Sequence, residues 1–199
     1  MALSTTSITN MALDRIGAAR ITDYETSSEP MAIKAKTHYE QVRDSLLQSC
    51  PWRFAVARAT LSEDTTAPSF EYDNQFILPV DFLGLVELYG SDSDFMLEGD
   101  RLLTDDSTAK IKYIKKVTDP AKFEPLFVEV LVLALAMRFS MGVSQSPKMH
   151  EGIYAELRQT MSRVRQLVKQ QTNTKASHGT WIQARLSRGV VDPSRVESY

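Results

Sequence analysis

With 199 residues, a net charge of -2, 43% hydrophobic and 24% charged residues, the chain has the make-up of an ordinary globular protein with room for one sizeable core. This composition excludes a wholly disordered chain, a membrane-embedded chain and a surface that grips nucleic acid all over. The charge is uneven, because residues 148–199 hold nine Lys/Arg against four Asp/Glu, leaving +5 there and -7 elsewhere; a docking arm and the solvated face of a last helix both fit that bias.

A single cysteine, Cys50, excludes an internal disulfide, and the amino terminus lacks the charged-then-apolar pattern of a secretory signal. The expectation is a chain made in the cytoplasm and used without export. Residues 4–7 offer several helix caps, Ile8, Met11, Ala12 and Ile16 recur at helical spacing, and Gly17 supplies a stop. A second helix opens with Ser28 as cap and Pro30 in its first turn, lines one face with Ala35, Tyr39, Val42 and Leu46, and ends at Pro51.

From Trp52 the period changes. Phe54, Val56 and Leu61, then Phe70, Tyr72, Phe76 and Leu78, then residues 83–89, read as strands. Residues 95–97 and 101–103 flank Glu98-Gly99-Asp100, a hairpin signature, and the alternating KIKYIKKV at 110–117 closes the set. The run PLFVEVLVLALAMRFSMG at 125–142 is apolar at every position between Glu129 and Arg138. Such a run is far shorter than the ~20 residues a bilayer demands and has no polar face, so it predicts a helix buried on nearly all sides. The last helix, about 146–171, carries a stripe of Ile153, Leu157, Met161, Val164 and Val168. Beyond it periodicity is lost, although Trp181, Ile182 and Leu186 stand among Arg185 and Arg188. Large apolar groups in such a tail need a surface to sit against.

The expected fold is α+β and mainly helical: a four-helix bundle with a small antiparallel β-sheet inserted between helices 2 and 3, and an extended C-terminal arm. Its parts are helices 1 and 2 at 1–51, an inserted β subdomain at 52–118, helices 3 and 4 at 119–171, and the arm at 172–199.

Chemistry is sparse. His38, His150 and His178 are far apart and none stands at metal-ligand spacing from another His or from Cys50. No nucleophile elbow, phosphate loop or dinucleotide fingerprint occurs. Asp92-Ser93-Asp94 begins like a calcium loop, but Met96 and Leu97 occupy places that need an oxygen ligand and a glycine. The carboxylate pairs Glu63-Asp64 and Asp105-Asp106 fall in expected loops rather than in a cleft. No cofactor or metal is expected.

Several strings together resemble one family: SITNMALDRIGAARIT, HYEQVRDSLLQSCPWRFAVARATL, FEYDNQFILPVDFLGLVELY, IKYIKKVTDPAKFEPLFVEVLVLALAMRFSMG and WIQAR. They are similar to the tail tubular protein A family, the head-to-tail adaptors of short-tailed, podovirus-type bacteriophages, in the right order over nearly the whole chain. Gly84 departs from the basic residue such proteins often place after the Leu-Pro-x-Asp segment. The resemblance implies a structural virion protein of the tail and neck region, with no enzymatic step. It implies a homo-oligomer, a dodecameric ring between the portal protein and the tail nozzle protein. The ring's channel would serve DNA ejection and help to retain the packaged genome.

On this reading the arm residues Trp181, Ile182, Arg185, Leu186 and Arg188 bind the portal, and the hairpin residues Leu97, Glu98, Asp100 and Arg101 face the nozzle. Net negative charge suits DNA that passes without sequence-specific binding. No membrane is involved. A head-completion or neck protein of a long-tailed phage is the alternative in the same class, and a helical DNA-binding regulator is the alternative outside it.

Overall fold

The computed structural model describes residues 3–90, 93–143 and 147–171. The chain divides into one compact unit, Met1–Val168, and a second, Lys169–Tyr199; both sheets and all the helices belong to the first, apart from the end of the last helix.

Helix α1 (Thr5–Arg15) opens on Ser4, whose hydroxyl accepts from the Ser7 amide while the Ser7 hydroxyl accepts from the Ser4 amide. This reciprocal cap satisfies two donors that the first turn leaves without partners. At the other end the Ala18 N–H donates to the Leu13 carbonyl at 3.1 Å and the Gly17 N–H to the Asp14 carbonyl at 3.2 Å, with Gly17 at φ +67°. That is a Schellman stop, which needs a left-handed residue. A methyl group added at Gly17 meets open space, so alanine there carries the backbone cost alone. Gly17→Ala is expected to lower stability by about 1 kcal/mol, seen in calorimetry as a melting temperature about 2–4 °C lower.

Helix α2 (Pro30–Gln48) has Pro30 at its first position, but its cap is Glu29 rather than Ser28, and no side chain bonds the first turn. It buries Ala32, Ala35, Tyr39, Val42 and Leu47. A 3-10 turn (Arg53–Ala55) leads into β1 (Val56–Thr60), and then come β2 (Ser62–Glu63), β3 (Asn74–Ile77), β4 (Phe82–Leu88), β5 (Phe95–Glu98), β6 (Arg101–Thr104) and β7 (Lys110–Lys115). The strand expected from Phe70 begins only at Asn74. Phe70 is exposed, and Glu71 at φ +77° breaks extended backbone. After a second 3-10 turn come α3 (Pro125–Val143) and α4 (Pro147–Gln171).

Helix α3 is the centre that its composition predicts. Every residue from Val130 to Ala136 is buried, which two full turns of helix permit only if something packs on every side. Helices α1 and α2 both lie against it, and Lys34 of α2 donates from Nζ to the Phe139 carbonyl at 2.9 Å near its C-terminal end. Helix α4 adds buried Ile153 and Val164 to the same core, with Leu157 and Met161 packed against it. Its Glu156 pairs with Arg15 of α1 at 3.1 Å.

The mainly helical bundle with one small inserted sheet is not what forms. The described residues are 48% helical and 20% strand, with seven strands in two antiparallel sheets, ordered β1-β7-β4 and β2-β3-β6-β5. The reason lies in how side chains alternate across a strand. On β7, Ile114 joins the helical core with Leu83 and Val86 of β4, whereas Ile111 and Tyr113 point the other way. There they meet Phe76, Leu78 and Leu102 of the second sheet in a separate core. The three-stranded sheet is thus apolar on both faces for part of its length. It serves as a wall of the helical core, not as an appendage at one end of a bundle, and a second sheet is needed to cover its far face.

Candidate interaction surfaces

Two groups of nucleophilic type, Cys50 and Ser140, are buried. Cys50 is buried, and that burial pushes its thiol pKa up, so the reactive thiolate is scarce. Ser140 and His150 approach to 2.9 Å, between Oγ and Nδ1, which resembles a nucleophile and its base. However, the Ser140 hydroxyl donates its one proton to the Met137 carbonyl at 2.9 Å. Ser140 is itself buried, and its hydroxyl is shared between its own helix and the His150 ring. Among the described residues no three His, Cys, Asp or Glu side chains converge to hold a metal ion. Among the same residues no helix is long and apolar enough to cross a membrane.

What the fold does build is a pair of outward surfaces of opposite charge. The first is a groove of about 520 Å3 on the three-stranded sheet, lined by Arg58, Thr60, Glu87, Tyr89, Lys110 and Lys112 among others. Register brings the charges together: Lys112 stands opposite Arg58 on one side and Glu87 on the other. Alternation then turns these side chains away from the face on which Ala57, Ala59, Ile111 and Tyr113 meet the second sheet. Three cations face one carboxylate, and none of the four forms an ion pair among the described residues. The Tyr89 ring, 70% exposed, stands at the rim.

The second surface is the β5–β6 hairpin. Glu98 pairs with Arg101 across a two-residue turn in which Gly99 takes φ +58°. Strand β5 is an edge of its sheet, so one row of its backbone groups lacks a strand partner among the described residues. It also exposes three large apolar side chains in succession, Phe95 at 43%, Met96 at 45% and Leu97 at 41%. Arg101 is held inside the chain, 2.7 Å from Asp64 and 2.7 Å from Asp100. Its hydrogen bond holds the Asp64 carboxyl below the usual range, and Asp64 in turn raises the guanidinium pKa. With that cation neutralised locally, Glu98 and Asp100 give the tip a negative face. Leu97, Glu98, Asp100 and Arg101, expected from the sequence to form one surface, are brought together by this turn.

A third groove, of about 470 Å3, runs between α1 and α3, with Met11, Val128 and Val132 beside Asp14, Arg15 and Glu129 on its walls. The arm residues Trp181, Ile182, Arg185, Leu186 and Arg188 lie outside the described residues.

The cationic groove was not anticipated from the sequence. The alternation in KIKYIK put Lys110 and Lys112 on one face, which was readable, but the arrival of Arg58 and Glu87 beside them depends on strand register.

The fold and these surfaces define an α+β protein with a central buried helix, a two-sheet β portion and exposed charged patches. Comparison with models of known protein families and with curated protein sequences finds no match.

Proposed function

We propose that this chain is a ring-forming head-to-tail adaptor of a short-tailed phage virion, seated between portal and tail nozzle. The observation that carries the reading is the run of strings, from SITNMALDRIGAARIT to WIQAR, which resemble the tail tubular protein A family in order along the chain. Two features of the molecule support it. A ring subunit needs two different contact faces, because a head-to-tail interface joins unlike surfaces, and this chain carries a cationic groove and an acidic, apolar hairpin. A ring subunit also needs a rigid body, and α3 packed on every side provides one.

The adaptor acts by geometry and adhesion. Its side-by-side copies surround a channel, the C-terminal arm with Trp181, Ile182 and Arg185 anchors each copy to the portal, and DNA passes without being held. Electron microscopy of the purified chain mixed with the portal protein encoded beside it tests this. A stacked layer with dodecameric symmetry is expected, and the chain cut after Gln171 is expected to remain folded and to lose the layer. No binding at near-physiological salt, or an unaltered layer from the truncated chain, would sink respectively the adaptor reading and the role of the arm. Salt-sensitive binding of the isolated chain to duplex DNA would instead favour a DNA-binding regulator.

A further inference from the structure

We propose that the acidic tip of the β5–β6 hairpin docks in the cationic groove of the three-stranded sheet on a neighbouring copy, joining subunits head to tail. This joint rests on the adaptor reading and goes past it by naming the two surfaces that meet.

Both halves of the contact are on the chain itself. The groove presents Arg58, Lys110 and Lys112 against the single carboxylate of Glu87. The hairpin presents Glu98 and Asp100, the latter 84% exposed, and its one cation is already bound to Asp64 and Asp100. Opposite charges on two meeting surfaces select partner and register, while like-charged pairings are disfavoured.

The apolar part agrees with the charges. Phe95 and Leu97 lie on one face of an edge strand beside the acidic tip, with Met96 on the other, a combination that a lone protein ordinarily avoids or covers. The rim of the groove supplies the Tyr89 ring as a partner surface, and tyrosine offers an apolar body with a polar end. A buried apolar centre ringed by charged pairs is the ordinary anatomy of a specific interface.

Placement favours a second copy over a fold-back within one chain. The groove side chains point away from the face that packs on the second sheet, whereas β5 belongs to that second sheet and lies at its edge. Surfaces so disposed, self-complementary but unlike, give a heterologous joint that propagates from copy to copy and closes into a ring when the rotation allows.

Zero-length cross-linking of the full chain tests the proposal. Equal amounts of ordinary and 15N-labelled chain are mixed, with and without the portal protein, and treated with a carbodiimide, which joins a carboxylate to an amine with loss of water. Peptide pairs of mixed isotope that link Glu98 or Asp100 to Lys110 or Lys112 are expected. A charge-reversal series read by sedimentation gives a second measurement. Glu98→Lys with Asp100→Lys is expected to weaken assembly at least tenfold, and the further addition of Lys110→Glu and Lys112→Glu is expected to restore it, with circular dichroism showing each variant folded.

A layer on the portal with mixed-isotope links elsewhere, or one that tolerates the hairpin reversal, overturns the proposal and leaves the adaptor reading standing. The hairpin would then be free to face the nozzle. The expected links without any layer on the portal would leave the joint and remove the adaptor. Neither links nor layer overturns both.

Discussion

Trp52→Ala is expected to cost about 3–5 kcal/mol, the range for removing a fully buried large aromatic, and so to bring the chain close to its unfolding threshold. A domain of this kind has only about 5–15 kcal/mol in total. The size follows from the position. Trp52 is 2% exposed and stands where the end of α2 turns into the first strand. Its Nε1–H donates to the Leu46 carbonyl at 2.9 Å, an oxygen that also accepts from the amide and hydroxyl of Ser49 at the end of α2. Its ring meets Phe127 of α3 edge-on at 5.0 Å, and Phe127 in turn contacts Phe54 at 5.1 Å and Phe123 at 4.9 Å. One side chain therefore ties α2, α3 and the entry to β1. Trp52→Phe keeps most of the apolar contact and loses the hydrogen bond, so about 1–2 kcal/mol is expected. Urea unfolding of the three proteins measures both. Equal losses for Ala and Phe would show that the hydrogen bond, rather than the aromatic cluster, carries the effect.

The parts of this fold that were legible in the sequence are those encoded locally. Helix α3 was readable because an unbroken apolar run with Leu and Ala in its later half admits few alternatives. The hairpin was readable because glycine in Glu98-Gly99-Asp100 marks a tight turn, and the end of α1 because Gly17 follows a periodic segment. Pairing was not readable. Strand β1 joins β7 across the whole β portion, and β3 joins β6 past β4 and β5; neither choice leaves a mark near the residues that make it. That gap produced the wrong architecture. Without the pairing, the pattern of strands is compatible with one small sheet and a four-helix bundle, and it does not disclose the double role of β7, with Ile114 on one core and Ile111 and Tyr113 on another. The cationic groove was lost for the same reason, since Arg58 and Lys112 are neighbours only through register. The strand expected at Phe70 and Tyr72 failed on a different ground: a left-handed Glu71 is a backbone choice that composition does not announce.

Asp44→Ala is expected to cost about 3 kcal/mol, the lower end for breaking a buried ion pair by deleting one partner, while Arg43→Met is expected to fall within about 1 kcal/mol of the parent. The asymmetry comes from what each deletion leaves behind. Arg43 is 3% exposed and its Nε lies 2.8 Å from Asp44 Oδ1, yet its Nη2 has no hydrogen-bond partner among the described residues. Removing the carboxylate strands a buried guanidinium. Removing the guanidinium in favour of a methionine of similar length deletes the costly charge, and Asp44 keeps Lys116 of the segment after β7 at 3.0 Å. The pH dependence follows from the same geometry. Partial burial opposes ionisation of Asp44, but the hydrogen bonds from Arg43 and Lys116 outweigh it and hold its pKa below the ordinary 3.8. The unfolded chain therefore takes up this proton at higher pH than the folded one. The stabilisation is fully present above the ordinary value and disappears as pH falls through the lowered one. In Asp44→Ala that component of the acid dependence is missing, so the stabilities of parent and variant should converge below about pH 4. Chemical denaturation between pH 7 and pH 3 measures the gap. A gap that stays constant through that range would mean the loss comes from packing rather than charge. An Arg43→Met variant as unstable as Asp44→Ala would mean that the attraction across the pair exceeds the cost of burying it.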